Sequence, residues 1–300
     1  MQGLLNHTIG RVVELSPKHG RRLQAAAARE GEPYWQQADE FLGRFKTFIE
    51  KGGKTFDYGI ECYLKLRNTM AEERLSFLRE GRYSNQSFSD VAERVYLNPE
   101  VMQYHMYGLV FAQFLWAEQY RRFLMFRENL PAYLNGPGNY LEIGGGHGLY
   151  AGEALRVLPA GSHVDIVDVS PSSIELAQGM LPDANVDWHL ADIFKFEPGY
   201  SYQFITVGEV LEHVEDPFAM LRRIHGLLAP GGAAYITTPA NAPMVDHIYL
   251  FNSAAEIRAM LERAGFAIQQ EATMYSEEMP PERAEELKLP LMYAAFVRPV

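Results

Sequence analysis

The sequence predicts an α/β fold: a mostly parallel sheet with helices on both faces, preceded by an all-helical N-terminal domain. Three observations lead there. Residues 1–130 carry apolar side chains at helical spacing almost throughout. A turn-rich joint, Asn135-Gly136-Pro137-Gly138-Asn139, follows them. Beyond it, within residues 131–300, short apolar runs alternate with helical patterns, the rhythm of strand–helix–strand units.

In the helical part, Pro17 opens a helix that runs to Arg29, and the segment from Gly31 to Pro33 ends it. Over 34–51, Phe41, Phe45 and Phe48 share one helix face, and Gly52-Gly53 stops the helix. The next helix spans 56–78, closed by Glu80-Gly81. Ser89 or Asp90 caps a short one. Asn98-Pro99-Glu100 then starts one long aromatic helix ending near Arg127. Its stretch 104–124 is the most apolar of the chain, but His105, Gln113, Glu118, Gln119, Arg121 and Arg122 interrupt it. That pattern is a buried helix and no membrane span.

After the joint, strands are expected at 140–143, 163–167, 186–190, 203–207 and 233–237. Helices fit at 149–157, 172–180, 217–228 and 253–264, with late strands at 267–275 and 293–297.

Composition sets the outer bounds. The chain has 300 residues, 47% apolar and 22% charged, which is enough to build an ordered, enzyme-sized core. Its net charge of −11, with no basic run longer than Arg21-Arg22, Arg121-Arg122 or Arg222-Arg223, disfavours nucleic acid as a partner. Cys62 is the only cysteine, so an intrachain disulfide and a Cys-rich zinc cluster are both excluded, as expected of a cytoplasmic protein. Residues 1–15 lack the basic start, long apolar stretch and small-residue cleavage site of a secretory leader.

The sharpest segment is Leu141-Glu142-Ile143-Gly144-Gly145-Gly146-His147-Gly148, where the first strand turns into a helix. Gly144, Gly146 and Gly148 let the backbone approach a ligand, and a helix N-terminus beside them offers free N–H groups. Gly146, Gly148 and Ala151 equally satisfy a loose dinucleotide pattern. Asp168, 20 residues after Gly148 and at the end of the second strand, can grip ribose hydroxyls, a role compatible with NAD as well. Asp192 ends the third strand, where its carboxylate can accept from an adenine amino group while apolar neighbours pack on the ring.

Over roughly 138–298 the chain resembles the Rossmann-like, class I S-adenosylmethionine methyltransferase superfamily. Glu142 with Gly144, Gly146 and Gly148 matches its first motif, and Asp168 and Asp192 match the acids after its second and third strands. The segment from Gly208 to Pro217, which contains Glu209, matches the one after the fourth, and Leu228-Ala229-Pro230-Gly231-Gly232 the turn before the fifth. The resemblance implies a seven-stranded sheet with its last strand antiparallel. It also implies S-adenosylmethionine as cofactor, with methionine by the glycines, ribose on Asp168 with Val169 beside it, and adenine near Asp192, Ile193 and Phe194.

Methyl transfer needs mainly alignment in a dry pocket, but an oxygen acceptor must also lose a proton. His213, after the fourth strand, and His247, in the loop after the fifth, are the candidate bases. No metal is expected. Were one held, Glu209, Glu212, His213 and His247 would be its donors, an arrangement resembling ubiquinone-biosynthesis O-methyltransferases and RNA 3′-terminal 2′-O-methyltransferases.

The aromatics of the helical half, among them Tyr104, Tyr107, Phe111 and Trp116, read as the wall of a pocket for a flat or apolar acceptor, as core, or as a homodimer interface. The expected function is methylation of a small molecule, with oxygen ahead of nitrogen or carbon. An NAD(P) oxidoreductase and a non-catalytic cofactor-binding interaction protein are the alternatives.

Overall fold

The computed structural model describes residues 3–277 and 279–300. Met1 and Gln2, which open the segment read above as lacking a leader, lie outside the described residues, as does Glu278.

The helical part contains α1 (Leu4–Leu15), α2 (Pro17–Ala27), α3 (Glu32–Lys51), α4 (Phe56–Glu80), α5 (Phe88–Val91), α6 (Pro99–Leu115) and α7 (Ala117–Asn129). α1 falls in the span 1–130 expected to be helical, without bounds of its own placed there, and Leu5, Thr8, Ile9 and Val12 form its buried stripe at helical spacing. Gly81 closes α4 in the left-handed conformation, with φ 73°. The short α5 is capped by Ser87, whose hydroxyl accepts from Asp90 N–H, and not by Ser89 or Asp90. A π-helical turn, Ala92–Tyr96, follows it.

The long aromatic helix is in fact two. Trp116 is extended (φ −106°, ψ 119°) between α6 and α7, and its indole N–H donates to Tyr63 Oη at 3.1 Å. The break redirects α7 onto the sheet, where the Phe126 ring lies 5.2 Å from that of Tyr235 and Tyr235 Oη donates to the Arg122 carbonyl at 2.8 Å. Tertiary contacts override a helical pattern that is continuous in sequence.

The sheet strands are β1 (Asn139–Ile143), β2 (His163–Asp168), β3 (Asp187–Leu190), β4 (Tyr202–Gly208), β5 (Leu228–Ala240), β6 (Phe266–Tyr275) and β7 (Leu291–Pro299). Between them lie α8 (Leu149–Val157), α9 (Pro171–Met180), α10 (Pro217–Leu227), α11 (Ala254–Arg263) and the unexpected one-turn α12 (Pro281–Glu286). The order is β3-β2-β1-β4-β5-β7-β6, and β7 runs antiparallel to both neighbours. This is the Rossmann-like α/β sheet expected. Chain order reverses between β1 and β4, which opens a crevice beyond their C-terminal ends.

One apolar layer, with Leu141, Ile143, Leu221, Ile224, Ile257 and Leu261, covers one sheet face, and another, with Phe126, Tyr140, Ala151, Phe204 and Phe296, covers the other. The helical part has its own core, to which α8 and α9 contribute Leu149, Leu176 and Met180. Among the described residues no helix is long and apolar enough to cross a membrane.

Phe45 sits at the centre of the helical core, fully buried, with the rings of Tyr107 and Phe111 at 5.2 and 5.5 Å. Phe45→Ala should cost about 3–5 kcal/mol of unfolding free energy, read from urea denaturation.

Candidate functional site

The parallel pairing of β1 with β2 and of β2 with β3 brings their C-terminal ends level: Ile143 pairs with Val167, and Asp168 with Leu190. The turns that follow line a cavity of about 510 Å3, whose walls include Glu142, Gly144, Gly146, Asp168, Val169, Asp192, Ile193, Phe194 and Glu209. The geometry thus brings the expected cofactor residues together, with one exception. Gly148 does not face the cavity; it starts α8 at φ 72°, and a Cβ there would lie 3.1 Å from the Leu181 side chain.

The glycine turn is required by the packing around it. Gly144 and Gly146 have φ of 74° and 53°. A Cβ on Gly144 would fall 2.5 Å from Val210, and one on Gly145 would fall 2.4 Å from Ile166. Asp168 is fixed by backbone donors, with Ser170 N–H at 2.8 Å and Gly146 N–H at 3.4 Å. Its carboxyl is nevertheless pushed up to about 6, chiefly by burial. Asp192 accepts from Phe194 N–H at 3.0 Å, and the Phe194 ring beside it stays exposed.

Glu142 is buried behind the glycines, and Tyr140 Oη donates to it at 3.3 Å. Burial pushes its carboxyl up to about 8. A cavity of this size, with carboxylates at strand ends and close-approach glycines, fits an adenosyl ligand.

The same cavity is lined by His213 and His247. His213 ends a 3₁₀ turn, Leu211–His213. Its Nδ1 lies 3.1 Å from the Asp246 carbonyl and 3.0 Å from Tyr96 Oη, so Nδ1 is the protonated nitrogen and Nε2 is left as the acceptor. Burial lowers the His213 pKa, but the charges of Asp246 and Glu212 outweigh it and the net shift is upward. His247 is pushed down to about 3 by burial and by His213. Glu212 is fully buried and accepts from Thr238 Oγ1 at 2.8 Å; its other oxygen stands 3.7 Å from His213 Nε2 and 3.9 Å from His247 Nε2. Burial, with Glu209 adding to it, pushes Glu212 up to about 8.

Glu212, His213 and His247 present donor atoms within 4.8 Å of one another. Glu209 does not join them. Its backbone sits at φ 55°, and its carboxylate is taken by Arg122 and by Thr237 Oγ1 at 2.8 Å. Its proposed place among metal donors is therefore corrected, because a fully buried arginine holds it elsewhere.

Several residues of this site were missed in the sequence. Asp246 is buried with Oδ2 3.4 Å from His105 Nε2 and 3.5 Å from His213 Nδ1. Asn85 donates to the carbonyls of Val245 (2.7 Å) and His247 (3.3 Å), and Tyr83 Oη accepts from Ala242 N–H at 3.0 Å. A histidine and two arginines inside the most apolar stretch were the available signal, since polar groups there need buried partners.

An open α/β sheet with carboxylates at its strand ends around one crevice defines an α/β protein with a ligand site where the strand order reverses. A family model described as a methyltransferase domain matches residues 115–271, and the chain belongs to that family. Residues 115–271 are thus a methyltransferase domain, a family the oxidoreductase alternative does not share.

The chain is similar to a ubiquinone biosynthesis O-methyltransferase of Xanthomonas campestris pv. campestris, at 33% identity over 108 residues, which is 34% of this chain and 44% of the relative. It also resembles malonyl-[acyl-carrier protein] O-methyltransferase 1 of Ilyobacter polytropus, at 28% over 104 residues, 34% of this chain and 38% of the relative. The chain spans less than half the length of these two relatives. The solved structure of a mitomycin 7-O-methyltransferase shares the fold, with a TM-score of 0.53 and 15% identity over 77% of this chain and 68% of that one.

Glu142→Gln mimics the protonated carboxyl. Because the folded-state pKa is raised, the favourable neutral form is retained below about 4.5 and the cost of burying the charge grows up to about 8. The variant should match the wild type in Tm at pH 4.5 and exceed it by several degrees at pH 8.5, as read by scanning calorimetry.

Proposed function

We propose that the protein transfers a methyl group from S-adenosylmethionine to an oxygen of a small molecule. One observation supports this above the rest: a single cavity is lined by the strand-end acids and by two buried histidines. In this reading Asp168 accepts from the ribose hydroxyls, while Asp192 accepts from the adenine amine with Val169, Ile193 and Phe194 against the ring. Gly144, Gly146 and Gly148 shape the turn near the methionine end, and Glu142 and Glu209 close the wall behind it. Bound S-adenosylmethionine supplies a methyl group already activated by its sulfonium.

His213 receives the acceptor's proton at Nε2, because its Nδ1 is engaged with Asp246 and Tyr96. His247 stands beside it, with ring centroids 4.9 Å apart, and is the second candidate base. The two O-methyltransferase relatives support oxygen over nitrogen or carbon. Turnover proceeds without a metal, although Glu212, His213 and His247 are the donors an ion would find.

Residues 1–130 serve in this reading as the lid and acceptor-binding part or as a homodimer contact, and residues 131–300 as the cofactor-binding part. A cytoplasmic setting and a role in biosynthesis belong to the same proposal, the first supported by the lone, buried Cys62.

Asp168→Ala should weaken S-adenosylhomocysteine binding more than tenfold in calorimetry. Wild-type affinity should fall as pH drops through about 6, where Asp168 gains its proton. Unchanged affinity in the variant would remove the site.

With an acceptor in hand and EDTA present, His213→Ala should lower kcat by roughly 10²–10⁴ at saturating cofactor. The wild-type rate should climb with pH through a pKa above 6.5, because the base is the neutral imidazole and its pKa is raised. His247→Ala is the parallel measurement, and full activity in both variants would exclude either histidine as the base.

A further inference from the structure

Resting on that reading, the polar groups of the acceptor end define the class of molecule it takes. Glu212 and Asp246 are buried there, and Glu215 and Asp216 stand at its rim. Among the described residues no lysine or arginine lines the cavity. Of the nearby arginines, Arg122 pairs with Glu209 through Nη1 and Arg94 donates to Asn85, and neither lines the cavity. Glu212 Oε1 and Asp246 Oδ1 are both buried without a hydrogen-bond partner. Two buried acceptor atoms on a cavity wall need donors, and the bound molecule is what can bring them. The rest of this end is apolar, with Met102, Met106, Leu109 and Phe88 on the wall.

We infer that the methyl acceptor is an uncharged or cationic molecule that donates hydroxyl or ammonium hydrogens to Glu212 and Asp246, and that carboxylate and phosphate acceptors are rejected. An anionic group would sit beside Asp246, which the histidines around it hold in its charged form, and beside Glu212, whose charged form burial already penalises, with no arginine or lysine on the wall to offset it. A hydroxyl donating to a carboxylate forms a short, charge-assisted bond in the same place. In the transfer the acceptor's oxygen forms its bond to the methyl carbon as the sulfonium–carbon bond breaks; the hydroxyl proton goes to His213 Nε2, and the thioether leaves neutral.

The test uses the whole chain saturated with S-adenosylhomocysteine, in EDTA, with a matched pair of probes followed by calorimetry. Methyl 3,4-dihydroxybenzoate is neutral, and 3,4-dihydroxybenzoate differs by a carboxylate. The ester should bind at least tenfold more tightly, and Asp246→Asn, which removes the buried charge, should reduce that preference at least threefold. If Asp246→Asn loses S-adenosylhomocysteine affinity through misfolding, Glu215→Gln at the rim should reduce the preference in the same direction.

Equal or tighter binding of the carboxylate, or no binding of the ester, overturns the inference. Ester binding that appears only when magnesium replaces EDTA also overturns it, because an ion then satisfies the two oxygens. Failure of S-adenosylhomocysteine to bind the wild type is a different result, and it removes the underlying methyltransferase reading instead.

Discussion

Parallel register across β1, β2 and β3 is the constraint on which the site depends. Ladder hydrogen bonds hold Ile143 opposite Val167 and Asp168 opposite Leu190, so the turns beyond them open at one height. A slip of one residue would turn every side chain of a strand to the other face. The acid at the end of β2 would then leave the crevice. Burial of both sheet faces prevents such a slip, since Leu141, Val207 and Ile236 fill one layer while Tyr140, Phe204 and Tyr235 fill the other.

The helical part completes the cavity at the end that the sheet leaves open. Its hold is polar and specific: Asn85 ties down the loop around Val245 and His247, and Tyr96 and His105 reach His213 and Asp246. Phe88 N–H donates to Glu215 at 2.8 Å across the rim. The π-helical turn between Phe88 and Asn98 has the irregular geometry often found near functional sites. α7 joins both parts, placing Phe126 in the sheet core and Arg122 against Glu209. Burial raises the carboxyls of Glu142, Asp168 and Glu212, so a ligand that donates hydrogens to them favours their charged forms.

Much of this was legible in the sequence where local physics decides. Apolar runs between turn residues located the strands to within a residue or two at most ends, although β5 extends well beyond its expected span, from Leu228 to Ala240. Glycines at positive φ and acids at strand ends marked the crevice. The continuous apolar pattern of 104–124 hid the break at Trp116, because an extended residue there is favoured only by partners far away in sequence, such as Tyr63. The ion pair of Glu209 was hidden for the same reason: its partner Arg122 lies 87 positions earlier.

The places of the strands along the chain and of the glycine turn and strand-end acids thus follow from the amino-acid sequence itself, because periodicity and turn chemistry act over a few residues. Which polar groups meet inside the cavity was decided only in three dimensions. Asp246 is an ordinary residue along the chain, His105 only a polar break in an apolar stretch, and Glu212 one of four candidate donors. Packing α6 against the loops after β4 and β5 desolvates them together, and desolvation gives their charges and unpartnered oxygens consequence.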